Sequence, residues 1–132
     1  TVTKRTATLV GALLLSGVLA GCQAEDARVC TENIEIEGVT AVDVNGAPVD
    51  GLVISDTVAQ SHVGFVVDQF LTHAPGNYVI FGDPWRQQIG NSRGVVRVTG
   101  SNGTLRFGAN FEFDASGCHT RRVSGPDTVV AR

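Results

Sequence analysis

Residues 105–114 carry the clearest pattern in the chain. Leu105, Phe107, Ala109, Phe111 and Phe113 alternate with Arg106, Gly108, Asn110, Glu112 and Asp114. Successive side chains of a strand point to opposite sides, so unbroken alternation puts one face on a core and the other in water. Val95, Val96 and Val98 precede this run. Asn102-Gly103 between them is a hairpin dipeptide, because both residues tolerate the positive φ of a tight turn. The segment is therefore predicted to be a β-hairpin. Upstream, Ile34, Ile36 and residues 39–44 show interrupted alternation, with Glu35 and Glu37 on the other side and Asn45-Gly46 as the turn that ends it. Pro48 and Gly51 break the chain before Leu52-Val53-Ile54. Residues 77–81 read as a buried strand after Ala74-Pro75-Gly76, and residues 127–131 as a last strand after Gly125-Pro126. Residues 82–91, with Asp83, Pro84, Trp85 and Arg86, are expected to form a loop.

Residues 56–71 fit two patterns. Ala59, Val63, Val66, Val67 and Phe70 fall at helical spacing, with Asp56 standing where an N-cap would. Yet Val63, Phe65 and Val67 also alternate, Gly64 is a poor helix former, and β-branched residues are frequent. The balance leans to a strand or irregular β segment, with a short helix within 56–71 as the alternative. The fold class expected is mostly β, an antiparallel β-sandwich of about seven strands.

The N-terminus follows a different rule. Lys4 and Arg5 precede an uncharged run, 6–20, in which Leu9, Val10, Leu13, Leu14, Leu15, Val18 and Leu19 are apolar. The run has the length of a signal segment and falls short of the ~20 residues a membrane-spanning helix needs. Small residues close it, in the order Leu19-Ala20-Gly21-Cys22. This string resembles the lipobox of bacterial lipoproteins, in which the cysteine is joined to diacylglycerol, a peptidase cuts just before it, and the new N-terminus is acylated. The resemblance implies a helical signal peptide over 1–21, cleavage between Gly21 and Cys22, a lipidated tether over 22–29, and a folded domain over 30–132. Acyl chains contribute about 0.8 kcal/mol per buried CH₂, enough in combination to hold a soluble domain at a membrane. An ordinary secretory signal with an incidental cysteine, or an N-terminal helix of a globular domain, is the alternative. Lys4-Arg5 is not a twin-arginine pair, which favours export of the unfolded chain. Gln23 in place of Asp implies passage to the outer membrane, facing the periplasm, in a Gram-negative host. In other hosts the anchor would lie on the outer face of the cell membrane.

Composition changes the picture in two ways. Two of the ten basic residues, Lys4 and Arg5, leave with the signal, so eight arginines face 13 acidic residues and no lysine remains. An acidic, lysine-free domain is a poor partner for nucleic acid or for a polybasic contact with anionic lipid. The three cysteines divide once Cys22 is assigned to lipid. Cys30 and Cys118 remain, an even pair that an oxidising compartment would join as a disulfide. A free buried thiol or a metal ligand is the alternative, although two cysteines and His119 do not make a zinc spacing.

Three further strings resemble carboxypeptidase-regulatory-like, transthyretin-like β-sandwich domains. Val42-Asp43-Val44-Asn45-Gly46-Ala47-Pro48-Val49 is similar to their opening strand and turn, and Gly76-Asn77-Tyr78-Val79-Ile80 to an inner strand. Gly117-Cys118-His119-Thr120 is similar to the ending of some lipoprotein members. Residues 56–71 depart from a compact version of that pattern. The resemblance implies a fold and a non-catalytic accessory role.

Candidate chemistry is sparse. His62, His73 and His119 are the only histidines and none sits at paired metal-ligand spacing. Ser55, Ser61 and Ser116 lack a nucleophile-elbow context. Asp43, Asn45 and Asp50 do not follow the ligand order of a calcium loop. Trp85, beside Arg86 and near Tyr78, is the side chain suited to stack on a sugar or anchor a partner protein, or else to cap the core. The expectation is a membrane-anchored, non-catalytic binding or scaffold module, with no cofactor or metal, whose partner is an envelope protein or glycan. The alternative is a small hydrolase-like envelope enzyme with a loop-built site from His62, Asp83 and His119. At least two titratable groups converging in a cleft would favour it.

Overall fold

The computed structural model describes residues 30, 32–70 and 74–132. The signal, Cys22 and the tether assigned above to 1–29 lie outside the described residues.

The hairpin expected from alternation is the centre of the fold. Strands β5 (Arg93–Ser101) and β6 (Arg106–Asp114) pair without interruption from Arg93↔Asp114 to Ser101↔Arg106. Asn102 Oδ1 accepts hydrogen bonds from the Thr104 and Leu105 amides at 3.0 and 2.8 Å, and Gly103 takes the positive φ of 89°. Phe107, Phe111, Phe113, Val96 and Val98 point inward and are buried. Around this pair, β2 (Val53–Val58), β3 (Gly64–Val66) and β7 (Arg121–Ser124) complete a five-stranded sheet in the order β3-β2-β5-β6-β7. The second sheet is β4-β1-β8, from β4 (Asn77–Gly82), β1 (Ile36–Val42) and β8 (Thr128–Val130). The sheets face each other through aromatic rings. Phe81 of β4 stacks on Phe113 of β6 with centroids 4.6 Å apart, and Phe65 and Phe111 flank them. The molecule is a β-sandwich with eight strands among the described residues.

The antiparallel sandwich expected from the strand pattern has one exception, because β1 and β8 run parallel. After β7 the chain crosses at Gly125 (φ 125°) to the other sheet and travels in the direction of β1. Ala131 then donates to the Val42 carbonyl, and Arg132 exchanges backbone bonds with Arg106 at 2.9 and 3.1 Å, which stitches the two sheets along one edge. Residues 56–70 follow the strand reading and not its helical alternative: β2 and β3 form a hairpin with Asp56 opposite Phe65, so Asp56 is a strand residue rather than an N-cap. The 3₁₀ helix Asp83–Ile89 lies instead in the segment expected to be a loop. Pro84 supplies a φ already suited to a first turn. Gly90 ends the helix in the left-handed conformation at φ 67°.

Asp56 occupies an inward position between Ile54 and Val58. It is fully buried, and neither carboxyl oxygen has a hydrogen-bond partner. Burial disfavours the charged form and pushes its pKa up to about 8. A carboxyl whose folded pKa is raised holds its proton more tightly in the folded state. Stability is then fully present below pH 4, declines as pH rises towards about 8, and levels off above. Asp56→Asn should flatten that decline in denaturant titrations run across the interval. Asp56→Leu should raise stability at pH 7 by roughly 2–4 kcal/mol. A slope that survives in Asp56→Asn would assign the pH dependence elsewhere.

Candidate functional site

A 3₁₀ helix has three residues per turn, so side chains at i and i+3 eclipse one another. In Asp83–Ile89 this aligns Asp83 with Arg86, and both face the loop that joins β6 to β7. Arg86 donates to the carbonyls of Cys118 at 2.6 Å and Gly117 at 2.7 Å, to that of Ala115, and to Asn91 Oδ1 at 3.0 Å. Asp83 reaches the same loop one turn earlier. Its Oδ1 accepts from the Thr120 amide at 2.6 Å, and its Oδ2 accepts from the Glu35 amide at 3.0 Å. Oδ2 also meets His119 Nδ1 at 2.7 Å. Cys118, between these contacts, is bonded to Cys30. The disulfide expected from cysteine arithmetic is therefore present, and it fixes the chain entering β1 to the same loop.

Partial burial pushes the Asp83 carboxyl upward. The hydrogen bonds from Glu35, His119 and Thr120 outweigh that effect and hold its pKa at about 2. A carboxylate against Nδ1 orients the imidazole and favours the tautomer protonated there. The ring borders a cleft of about 320 Å³ together with Asp114, Ser116, Gly117 and Arg121. Ser116 donates to Asp114 Oδ1 from its hydroxyl at 2.5 Å and its amide at 2.9 Å. With Arg121 nearby, these bonds lower the Asp114 pKa to about 2. The site thus holds an Asp–His pair and a serine, but the serine hydroxyl is committed to Asp114 and not to the imidazole.

The other residues singled out by sequence fall elsewhere. His62 lies exposed in the β2–β3 turn with φ 55°, and it takes no part in the Asp83–His119 pair. His73 lies outside the described residues. Tyr78 is buried, and its hydroxyl donates to the Val49 carbonyl at 2.7 Å and accepts from the Leu52 amide at 3.2 Å. Trp85 is half-buried against the core, its ring 6.3 Å from that of Phe70. Tyr78 and Arg86 are thus tied into the fold by hydrogen bonds, and Trp85 packs against the core, the capping alternative named above. The carboxylates weighed for calcium serve turns. Asp43 Oδ1 accepts the Asn45 and Ala47 amides, and Asp50 Oδ1 accepts the Gly76 amide. Sequence reasoning missed the loop clamp of Arg86, whose only local signal is its i+3 spacing from Asp83.

Asp83 has a depressed pKa, so its contribution is present above pH 4 and is lost as pH falls towards about 2. Asp83→Asn should cost about 1–2 kcal/mol at pH 7 and should remove part of the acid-induced loss of stability. The share due to Asp114 should remain. An unchanged acid limb in urea titrations would contradict this assignment. No protein-family model, curated protein or solved structure matches the chain.

Proposed function

We propose that this chain is a membrane-anchored envelope lipoprotein whose folded domain is a non-catalytic binding or scaffold module. The Cys30–Cys118 bond is the observation that carries the reading. It accounts for two of the three cysteines by a linkage that persists in oxidising compartments. The third, Cys22, is the residue that closes the apolar run in Leu19-Ala20-Gly21-Cys22. Because Cys30 is bonded to the β6–β7 loop, a chain lipidated at Cys22 would meet the domain at the end that carries the 3₁₀ helix.

A second reading, a small envelope enzyme, rests on the Asp83–His119 pair beside its cleft. Catalysis by that pair on a covalent path needs a nucleophile within hydrogen-bond reach of the base. The cleft unites His119 with Asp114 and Ser116, the convergence of titratable groups set out above for an enzyme, but the Ser116 hydroxyl donates to Asp114, so the binding reading is preferred.

The test is the intact mass of protein extracted from bacterial membranes, before and after reduction and alkylation. Residues 22–132 plus acyl groups are expected, with the thiols of Cys30 and Cys118 becoming alkylatable only after reduction. Cys22→Ala should leave uncleaved or released protein. A wild-type mass that retains residues 1–21, or that lacks lipid, would overturn the reading.

A further inference from the structure

The arginines fall into two sets. Among the described residues, Arg86 is bound to loop carbonyls, Arg93 pairs with Glu112, Arg121 with Asp114 at 3.3 Å, and Arg122 with Asp127 at 2.5 Å. Arg97, Arg106 and Arg132 meet no carboxylate among the described residues. These same three line one open cleft of about 710 Å³ with Thr99, Ser101 and Phe107. No acidic side chain lines it, although the chain as a whole is acidic.

Strand register explains the convergence. Arg97, Thr99 and Ser101 alternate on the outward side of β5, with Thr99 opposite Gly108 and Ser101 opposite Arg106. Gly108 makes room for Arg97, since a Cβ there would lie 2.5 Å from the guanidinium. The reciprocal backbone bonds with Arg106 bring in Arg132. Thr99 already donates to the Ser55 carbonyl and so presents an acceptor, while Ser101 accepts from the Gly103 amide and so presents a donor. Three guanidinium groups line one cleft without an acidic side chain, which favours an oxyanion there, and the planar guanidinium fork matches carboxylate or phosphate geometry.

We propose that this cleft binds an acidic glycan, with Arg97, Arg106 and Arg132 on its anionic groups and Thr99 and Ser101 on its hydroxyls. The choice of a glycan over the anchoring bilayer rests on the lipoprotein reading, and the anion site itself does not. Arg106, at the hairpin end of β6, lies about 26 Å along the strand from Asp114, and Arg97 lies midway, opposite Asn110. A tether attached at Cys30 would therefore join the domain at the end opposite Arg106.

The test uses the full chain in detergent, titrated with polygalacturonate, neutral dextran, polyglutamate and phosphatidylglycerol vesicles. Polygalacturonate should bind saturably and dextran should not. Arg97→Gln, Arg106→Gln and Arg132→Gln combined should weaken binding about tenfold or more, which corresponds to about 1.4 kcal/mol. Gly108→Ala, which displaces the Arg97 guanidinium, should weaken it too. Arg93→Gln, on the same sheet face but paired with Glu112, should leave it unchanged. Absence of binding, or binding that survives the triple substitution, would overturn the site. Tighter arginine-dependent binding to polyglutamate or to vesicles would overturn the glycan assignment. Glycan binding by a protein whose mass lacks lipid would remove the anchor and leave the site standing.

Discussion

One guanidinium closes an end of this sandwich. The loop between β6 and β7 turns without a partner strand, and the carbonyls of Ala115, Gly117 and Cys118 face inward there. Part-buried backbone carbonyls must find donors, and Arg86 supplies them to all three while a further bond to Asn91 steadies its own helix. Lysine has no planar fork of donors to do this. The Cys30 disulfide and the Asp83–His119 contact both act on that same loop. With the loop held, the start of β1 and the return into β7 are fixed relative to each other. This lets the two sheets face across Phe81 and Phe113.

What could be read from the chain was what depends on neighbours in sequence. Alternation over 105–113 and the Asn102-Gly103 turn specify the central hairpin, because period and turn chemistry are both local. The Tyr78–Phe81 run is apolar because both faces of β4 are covered, and it read as a buried strand for that reason. Residues 56–70 were ambiguous because two short strands leave too few periods to separate from a helix. Asp56 added to the confusion: a polar residue at an inward position breaks the alternation that would have marked β2. The parallel partnership of β8 with β1 joins residues far apart in sequence, so nothing local announces it.

The candidate site was legible only in part. Asp83 and His119 could be proposed as residue types, but their meeting across 36 positions depends on the loop clamp. Pro84 in the first turn and Gly90 just past the end stand in the places that favour a 3₁₀ helix, yet a single short helix inside a loop gives too little periodicity to announce itself. The cleft of Arg97, Arg106 and Arg132 was invisible for the opposite reason. Arg97 and Arg106 occupy ordinary outward strand positions and Arg132 follows the last strand, and only the hairpin register and the Arg132 bridge show that all three line one cleft without an acidic side chain.

These features give the proposed module a polarity, with a locked, disulfide-tied end near the tether and Arg106 at the other end, about 26 Å away along β6. The orientation can be measured directly. The lipidated protein would be placed in vesicles carrying a headgroup quencher, with a fluorophore introduced in place of Ser116 or, separately, Asn102. Stronger quenching at 116 than at 102 is the result this account predicts. Equal quenching, or stronger quenching at 102, would contradict it.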